Sequence, residues 1–189
     1  HKTAFVFGDR RQTFSEFENR VNRLANGLLA KGYKPRDHIA ILAYNCMEYF
    51  ELLYALAKAG MTAVPVNFRL VGKEISYIVN HGDSRALIYQ ASFLDTIKQI
   101  KGGFEKIGSG DFIVFDGEGN PGDDDYEKLI AASSPLEPEV ELDESYIWYI
   151  GYTSGTTGTP KGAIRSHRAS ILLASNMDMA REIDTILLI

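Results

Sequence analysis

The order of apolar segments predicts an α/β fold, in which a parallel sheet is covered by helices on both faces. Short apolar or β-branched runs, such as residues 39–42 and 62–66, alternate with longer segments that repeat with a helical period. Continuous apolar runs are typical of parallel strands that are buried on both faces. Strands that alternate with helices are joined by right-handed crossovers, so we expect layers of helices on either side of one sheet.

The boundaries of the elements follow from periodicity and from residues that begin or end helices. Apolar residues spaced by three and four predict a helix at 15–31 that ends at Gly32. Asn45 is placed to cap a second helix at 46–58, which Gly60 would end. The other predicted elements are strands at 4–7, 86–89, 112–115, 146–152, 162–166 and 185–189, and helices at 73–80, 93–100, 126–132 and 167–183.

The composition is ordinary for a globular protein and excludes several classes of function. The 189 residues carry a net charge of −5, and this acidic balance argues against a nucleic-acid surface, which favours basic patches. No run reaches 18 apolar residues, so the sequence predicts no transmembrane segment. The single cysteine, Cys46, excludes an internal disulfide. We therefore expect a cytoplasmic protein in which Cys46 is a buried residue at the start of a helix.

The composition changes after residue 132. Residues 133–139 are rich in Ser, Pro and Glu, which favours an extended linker. We therefore divide the chain into a subdomain at 1–132, a linker at 133–140 and a segment at 141–189 that carries the most informative motif. Because the sequence begins with His1 and ends within the apolar run 186–189, we also expect it to be part of a longer protein.

That motif is residues 153–162, with the sequence Thr-Ser-Gly-Thr-Thr-Gly-Thr-Pro-Lys-Gly. Its glycines allow positive φ and a close approach to a ligand, and successive N–H groups in such a turn form a concave anion site. Its hydroxyl groups can donate hydrogen bonds or ligate Mg²⁺, and Lys161 adds a point charge for phosphate oxygens. The segment therefore predicts a loop that holds a polyphosphate. The candidate binding residues are Thr153, Ser154, Gly155, Thr156, Thr157, Gly158, Thr159, Pro160 and Lys161.

Two other phosphate-binding motifs do not fit the sequence. A Walker A loop needs Gly directly before Lys and Ser or Thr directly after it, whereas Pro160 and Gly162 stand at those places. Residues 117–122 match G-x-G-x-x-G, but Asp116 and its acidic neighbours would repel a pyrophosphate, and Pro121 lacks an N–H. We interpret residues 117–122 as an acidic surface turn.

Residues 152–162 resemble the phosphate-binding signature of the adenylate-forming superfamily, which includes acyl-CoA synthetases, aryl-CoA ligases, luciferases and peptide-synthetase adenylation domains. Two weaker stretches agree: residues 13–17 resemble the family's early aromatic-x-Glu segment, and residues 56–67 resemble its Lys-Ala-Gly and Val-Pro segment. Residues 68–70, followed by Glu74, are more similar to the CoA-ligase branch than to the peptide-synthetase branch. The resemblance implies part of the large N-terminal domain of such an enzyme.

The resemblance also implies a two-step reaction that uses ATP, Mg²⁺ and coenzyme A. A small-molecule carboxylic acid, with a fatty acid favoured, attacks the α-phosphate of ATP, and coenzyme A then takes the acyl group from the acyl-adenylate. On this interpretation Lys161 and Thr156 are the catalytic residues, residues 153–161 bind the nucleotide, and Thr153 is the metal ligand. The family's magnesium-binding glutamate, ribose-binding aspartate and lid lysine belong to segments downstream of the loop. We therefore expect the 189 residues alone to be inactive.

Other functions remain open at the level of sequence. The chain could belong to a CoA-independent adenylation domain that loads a carrier protein, although residues 67–70 argue against it. It could also be a non-catalytic nucleotide-binding module that keeps the loop and has lost the remaining machinery. A P-loop phosphotransferase is a distant third, because Lys161 is not followed by Ser or Thr.

Overall fold

A mixed seven-stranded sheet forms the centre of the protein in the computed structural model, which describes residues 2–153 and 159–178. Within these ranges the strands are β1 (Thr3–Phe7), β2 (Arg10–Thr13), β3 (His38–Leu42), β4 (Thr62–Val66), β5 (Ser84–Gln90), β6 (Phe112–Phe115), β7 (Asp124–Asp125), β8 (Ile147–Thr153) and β9 (Lys161–Ser166). The helices described there are α1 (Phe14–Ala30), α2 (Met47–Lys58), α3 (Gly72–His81), α4 (Leu94–Ile100), α5 (Tyr126–Ala132) and α6 (His167–Asp178).

The central sheet has the strand order β7-β6-β5-β3-β4-β8-β9, and its neighbouring strands are parallel except for β8 and β9. This arrangement confirms the predicted α/β fold with a mostly parallel sheet. β9 departs from the pattern because it pairs antiparallel with β8. The connection of residues 154–160 is shorter than the roughly dozen residues that a parallel crossover needs, so the chain returns beside β8 in the opposite direction.

The core consists of two apolar layers, one on each face of the central sheet. α1, α2 and α5 cover one face, and α3 and α4 cover the other. β3 shows the alternation most clearly, because Ile39 and Ile41 belong to the first layer, whereas Ala40 and Leu42 belong to the second. All four side chains are fully buried. A strand covered on both faces has no polar side, which explains why residues 39–42 are continuously apolar.

The helices predicted from the sequence are confirmed to within one residue at the ends that the structure describes. Residues 179–183 of the last predicted helix and the predicted strand at 185–189 lie outside the described residues. α1 begins with a capping box, in which the Thr13 hydroxyl accepts from the Glu16 N–H at 3.2 Å, and the Glu16 carboxylate accepts from the Thr13 N–H at 2.8 Å. These bonds lower the pKa of Glu16.

The start of α2 corrects one prediction and confirms another. Asn45 does not cap the helix, because Cys46 occupies the cap position and makes no side-chain capping bond. The Cys46 thiol is buried there, as predicted, and burial raises its pKa to about 12. Gly60 follows the helix with a φ of 68°, a conformation that favours glycine. Burial of the helix start therefore outweighs the side-chain preference that the sequence suggests.

The amino-terminal hairpin and β7 are strands that the sequence pattern does not predict fully. β1 confirms the strand expected at 4–7, but it pairs antiparallel with β2 and lies outside the central sheet. β2 has the sequence Arg-Arg-Gln-Thr and β7 is Asp-Asp, so apart from Thr13 neither has the β-branched or apolar residues that indicate a strand. Backbone pairing with a neighbouring strand, and not side-chain pattern, makes them strands.

Residues 133–140 form an extended segment without regular secondary structure, and this segment is fastened along α1. Asn22 Nδ2 donates to the carbonyl oxygen of Pro135 at 3.1 Å, and Arg23 Nη1 donates to that of Ser133 at 2.6 Å. These bonds satisfy carbonyl groups that have no partner strand or helix turn. The polar side of α1 therefore holds the connection between the first part of the chain and β8.

Candidate functional site

The candidate phosphate loop connects β8 to β9 at the carboxyl edge of the parallel strands. β8 runs parallel to β4, with Ala63 opposite Tyr149. Ligands of open α/β sheets bind at this edge, outside the carboxyl ends of the strands. Of the predicted binding residues, the structure describes Thr153, Thr159, Pro160 and Lys161, whereas Ser154, Gly155, Thr156, Thr157 and Gly158 lie outside the described residues.

Thr153 and Lys161 are directly opposite each other in the antiparallel pair of β8 and β9. Directly opposite residues of such a pair project from the same face of the sheet. The Thr153 hydroxyl donates to the carbonyl oxygen of Lys161 at the long distance of 3.5 Å, and both residues are exposed. One hydroxyl and one ammonium group therefore flank the loop on the same side, where a ligand can reach them.

Protein side chains line the crevice between β3 and β5, where the strand order reverses. The chain passes from β3 to β4 on one side and then to β5 on the other, so the reversal lies between β3 and β5. There the Tyr44 N–H donates to Gln90 Oε1 at 3.1 Å, and the Tyr44 ring lies 4.9 Å from the rings of Phe68 and Phe93. These side chains line the position that ligands commonly take in such sheets, and the exposed polar groups lie further along the same edge.

The segment that follows β4 adds a second exposed cation to this edge. Because β4 neighbours β8, the residues that follow the two strands share the carboxyl edge of the sheet. The Asn67 side chain accepts a bond from the Arg69 N–H at 3.0 Å, which shapes the turn. The Arg69 guanidinium lies 5.3 Å from the ring centroid of Phe68 and is exposed. Arg69 is therefore a solvated loop charge on the edge that carries Thr153 and Lys161.

Two aromatic residues of α3 contact the chain on both sides of the loop, and the sequence did not point to them. His81 Nδ1 lies 2.7 Å from the Tyr152 hydroxyl, and the Tyr77 hydroxyl donates to the carbonyl oxygen of Pro160 at 3.4 Å. Tyr77 and His81 are four residues apart, so they share one face of the helix, and their rings stack at 5.2 Å. Burial, followed by the nearby Tyr77, raises the pKa of Tyr152, which keeps its hydroxyl protonated.

Gly162 makes room for the Tyr152 ring. The two residues are opposite each other in the β8–β9 pair. A Cβ atom on Gly162 would lie 3.0 Å from Ile150 Cγ2 and 3.2 Å from Tyr152 Cζ, which is tighter than ordinary packing allows. Glycine after the candidate lysine therefore has a packing role in addition to any role toward a ligand.

His167 begins α6 beneath β9, as the sequence predicts. The backbone N–H of His167 donates to the carbonyl oxygen of Tyr146 at 3.0 Å. Burial lowers the pKa of the His167 ring, and its Nε2 atom has no hydrogen-bond partner in the part of the chain that the structure describes. Nearby, Trp148 Nε1 donates to Ser170 Oγ at 2.7 Å, which fastens α6 to β8. These contacts make His167 and Trp148 structural residues of the β8–α6 junction.

The glycine-rich turn at 117–122 is built around a buried aspartate. The Asp123 carboxylate contacts Lys101 Nζ at 2.6 Å and accepts from the Tyr89 hydroxyl at 2.5 Å and the Asn120 N–H at 2.9 Å. Burial opposes ionisation of Asp123, but these bonds outweigh it and lower its pKa. The Asp123 carboxylate therefore stabilises the turn between β6 and β7. The exposed acidic residues beside it in the sequence gave no indication of this role.

A second buried carboxylate lies far along the chain from the loop, between α1, α2 and α5. Glu51 is fully buried and receives bonds from Arg20 Nε at 2.6 Å, Arg20 Nη2 at 3.0 Å, the Tyr126 hydroxyl at 2.8 Å and Gln12 Nε2 at 2.7 Å. Burial of Arg20 opposes its charge, but the bonds that its guanidinium donates to Glu127 and Glu51 outweigh burial and raise its pKa. The Glu51 carboxylate therefore has a structural role, because each of its hydrogen-bond acceptor positions is already used by a protein donor.

Both the sequence and the fold are similar to those of known ligases. The sequence matches the family of AMP-binding enzymes over residues 1–188. It is 31% identical over 193 residues to 4-hydroxybutyrate–CoA ligase 2 of Metallosphaera sedula, a match that covers 97% of this chain and 34% of that protein. It is 33% identical over 168 residues to the medium-chain-fatty-acid–CoA ligase of Ectopseudomonas oleovorans, which covers 86% of this chain and 30% of that protein.

Solved structures of the same kind share the fold. The anthranilate CoA ligase AuaEII, in complex with anthranoyl-AMP, superposes with a TM-score of 0.87 at 27% identity, over 92% of this chain and 33% of that one. The N-terminal domain of FACL13 from Mycobacterium tuberculosis gives a TM-score of 0.79 at 32% identity, over 94% of this chain and 42% of that one. The chain spans about a third of the length of the curated relatives it matches (34% and 30%). The resemblance predicted from residues 152–162 is confirmed, and the chain belongs to the family of AMP-binding enzymes.

Proposed function

We propose that the chain is the phosphate-binding part of an ATP-dependent acid–thiol ligase, which joins a carboxylic acid to coenzyme A through an acyl-adenylate. The observation that carries this proposal is that Thr153 and Lys161 are exposed, on one face, at the two ends of the Gly- and Thr-rich loop. Membership of the AMP-binding enzymes supports the nucleotide, and the CoA ligases among the relatives support the thiol acceptor.

The loop residues have distinct roles in this proposal. Residues 153–161 bind the nucleotide, and Lys161 and the Thr156 hydroxyl stabilise the charge of the β- and γ-phosphates. The Thr153 hydroxyl, exposed at the end of β8, suits Mg²⁺ as one hard oxygen ligand, because this cation keeps several waters and takes few protein ligands. Bound Mg²⁺ supplies further neutralisation of phosphate charge.

The proposed reaction depends on positioning and charge neutralisation more than on proton transfer. A carboxylic acid with an ordinary pKa of about 4 is ionised at neutral pH, so it needs no general base. One carboxylate oxygen forms a bond to the α-phosphorus while the bond to the bridging oxygen breaks, and pyrophosphate leaves with the electron pair. The coenzyme A thiolate then attacks the acyl carbon, and AMP leaves. Lys161 acts at the first step, on the charge of the departing pyrophosphate.

A fatty acid is the substrate that we propose for the first step. Several relatives are named as medium-chain or long-chain fatty-acid–CoA ligases, although others are named for 4-hydroxybutyrate or feruloyl-CoA. We further propose that residues 1–132 and 141–189 are separate parts of one nucleotide-binding domain, joined by the linker at 133–140. The 189 residues alone do not complete the reaction in this proposal. We also propose that the protein acts in the cytoplasm. No helix among the described residues is long and apolar enough to cross a membrane.

The test is carboxylate-dependent exchange of pyrophosphate into ATP, measured with the full-length protein that contains this sequence and a panel of short, long and aromatic acids. We expect exchange with long-chain acids, followed by release of AMP when coenzyme A is added. Exchange that is not followed by coenzyme A use would favour an adenylation domain that loads a carrier protein. A folded protein that binds MgATP and supports no exchange with any acid would overturn the proposal in favour of a non-catalytic nucleotide-binding module.

A further inference from the structure

Helix α3 touches the residue immediately before the candidate loop, Tyr152, and a residue near the end of the loop, Pro160. Tyr152, which contacts His81, directly precedes Thr153. Pro160, which accepts a bond from Tyr77, directly precedes Lys161. The two contacts come from one helix face, because Tyr77 and His81 are one helical turn apart. The face defined by Tyr77 and His81, which we call the α3 clamp, therefore meets both ends of the loop.

The clamp adds polar contacts to the end of β8, where Ile150 and Tyr152 also pack in the second apolar layer. β8 and β4 share one registered pair, Ala63 and Tyr149, near the start of β8, and Thr62 Oγ1 donates to the carbonyl oxygen of Ile147 at 2.6 Å. Beyond Tyr149 the strand continues with only β9 paired to it in the described part of the sheet. The Tyr152–His81 contact is a polar link between the end of β8 and α3.

The Tyr152 ring packs closely against the backbone at Gly162 and Gly82, whereas His81 is exposed. The Tyr152 ring lies against Gly162, where a Cβ atom would come within 3.2 Å of Tyr152 Cζ. The Tyr152 hydroxyl would lie 3.5 Å from a Cβ atom on Gly82, at the end of α3. The Tyr152 and His81 rings meet edge to face, with centroids 5.7 Å apart. Tyr152 is thus enclosed by α3 on one side and by β9 on the other.

We propose that Tyr77 and His81 are positioning residues, which fix the ends of the loop through Tyr152 and Pro160 and so set the distance and orientation between Thr153 and Lys161. The inference rests on the proposed function, in which these two residues hold the nucleotide polyphosphate. Groups that bind a ligand lose conformational entropy when they are held in one geometry. Ends that are already fixed reduce that loss, and misplacement of a binding group by about 1 Å is costly to a reaction that depends on positioning.

The two contacts of the clamp differ in strength. The 2.7 Å contact between His81 and Tyr152 is a normal hydrogen bond, whereas the 3.4 Å contact between Tyr77 and Pro160 is long for a hydroxyl donor. Loss of the Tyr152 hydroxyl therefore has the larger effect.

The experiment compares Tyr152→Phe and Tyr77→Phe with a matched control, Tyr33→Phe, in the full-length protein. Tyr33 donates to Asp111 Oδ1 at 2.8 Å, so its change removes a hydroxyl bond of the same kind away from β8 and β9. We expect Tyr152→Phe to lower kcat/KM for MgATP about five- to tenfold, and Tyr77→Phe about twofold, with the KM for the carboxylic acid unchanged. The Tyr33→Phe protein should lower Tm without changing kcat/KM for MgATP.

Rescue at His81 separates positioning from general stability. His81→Asn keeps a polar side chain that can bond to the Tyr152 hydroxyl, whereas His81→Leu removes the partner. We expect His81→Asn to retain most of the MgATP kinetics and His81→Leu to match Tyr152→Phe. Equal loss in both His81 variants, or a loss in step with Tm in all variants including Tyr33→Phe, would show a structural role only and would overturn the inference.

Hydrogen exchange tests the clamp without relying on catalysis. The peptide spanning residues 150–161 should exchange about five- to tenfold faster in Tyr152→Phe than in the wild type, and at the wild-type rate in Tyr33→Phe. Unchanged exchange in Tyr152→Phe would overturn the inference, whatever the wild-type activity. A wild type without pyrophosphate exchange would contradict the proposed function instead, and the hydrogen-exchange result would still decide whether α3 holds the loop ends.

Discussion

β3 to β6 and β9 belong to the same sheet, yet they are covered to very different extents. Ile41, Ile88 and Ile113 are fully buried in the inner strands, whereas Ile164 of β9 is 67% exposed in the described structure. Apolar residues of α6 are also exposed, including Ile171 at 60%. Because burial of apolar surface provides most of the free energy of folding, the first region contributes more to stability than the second within the described residues. The candidate site lies at the junction with the second, less covered region.

The stability of the described residues and the proposed function of the loop therefore depend on different side chains. The buried carboxylates of Glu51 and Asp123 lie on the side of the first region and accept hydrogen bonds from protein side chains. The exposed polar groups, Thr153 and Lys161, lie in the second and face the solvent. Changes in the first region should therefore alter unfolding, and changes in the second should alter nucleotide use.

The largest expected effect is the loss of the buried ion pair in the first region. Arg20→Met leaves the Glu51 carboxylate buried without its charged partner, so we expect the free energy of unfolding to fall by about 3–5 kcal/mol. The matched control in the second region is Arg168→Met, because Arg168 pairs with Glu144 while both side chains are more than half exposed. That change should cost about 1 kcal/mol or less. Urea unfolding of the two variants, read by far-UV circular dichroism, measures the difference; equal losses would contradict the contrast.

The next effect concerns nucleotide use. Lys161→Ala removes the ammonium group that we propose to stabilise the departing pyrophosphate, so kcat/KM for MgATP should fall about a hundredfold or more. Because Lys161 is exposed, the free energy of unfolding should change by no more than about 0.5 kcal/mol. Pyrophosphate exchange and urea unfolding of the same preparation measure both quantities.

Two changes serve as references for the lysine experiment. Lys128→Ala, at an exposed lysine of α5, should leave both quantities unchanged. Nucleotide kinetics that are unaltered in Lys161→Ala would remove the proposed role of the loop, and a large loss of stability in that variant would contradict the separation between the two regions.

The smallest expected effect is on how the free energy of unfolding changes with pH in the acidic range. The lowered pKa of Asp123 means that its contribution to stability is present above the ordinary aspartate pKa of about 3.9 and is lost as the pH falls through its lower value in the folded protein. Asp123→Asn should therefore flatten the fall of stability with acid below about pH 4. Asp143, whose pKa is lowered by Ser145, is the control in the segment before β8, because its carboxylate is fully exposed. Unfolding midpoints measured from pH 2 to 5 should change less for Asp143→Asn; an equal change would show that burial of Asp123 has no special effect.

The sequence by itself determined the helices, the apolar strands, the phosphate loop and the family. Each of these depends on residues that are close together in the chain, such as the alternating layers of residues 39–42 or the ten residues at 153–162. Periodicity and motif are local properties, so the sequence states them directly. Two of the weaker family stretches also have local roles, because Thr13 and Glu16 form the cap of α1, and Gly60 ends α2.

Only the tertiary structure decided which polar residues are buried and which distant residues meet. Glu51 bonds to Arg20 and Tyr126, and His81 reaches Tyr152, across separations of 31, 75 and 71 residues. No local pattern encodes such pairs, because the same Glu or His would look like a solvated surface residue on an isolated helix. The polar strands β2 and β7 and the antiparallel turn of β9 were likewise set by pairing with neighbours, since hydrogen bonds between backbones need no particular side chain. The α3 clamp belongs to this second class, because Tyr77 and His81 meet Pro160 and Tyr152 only in the folded protein.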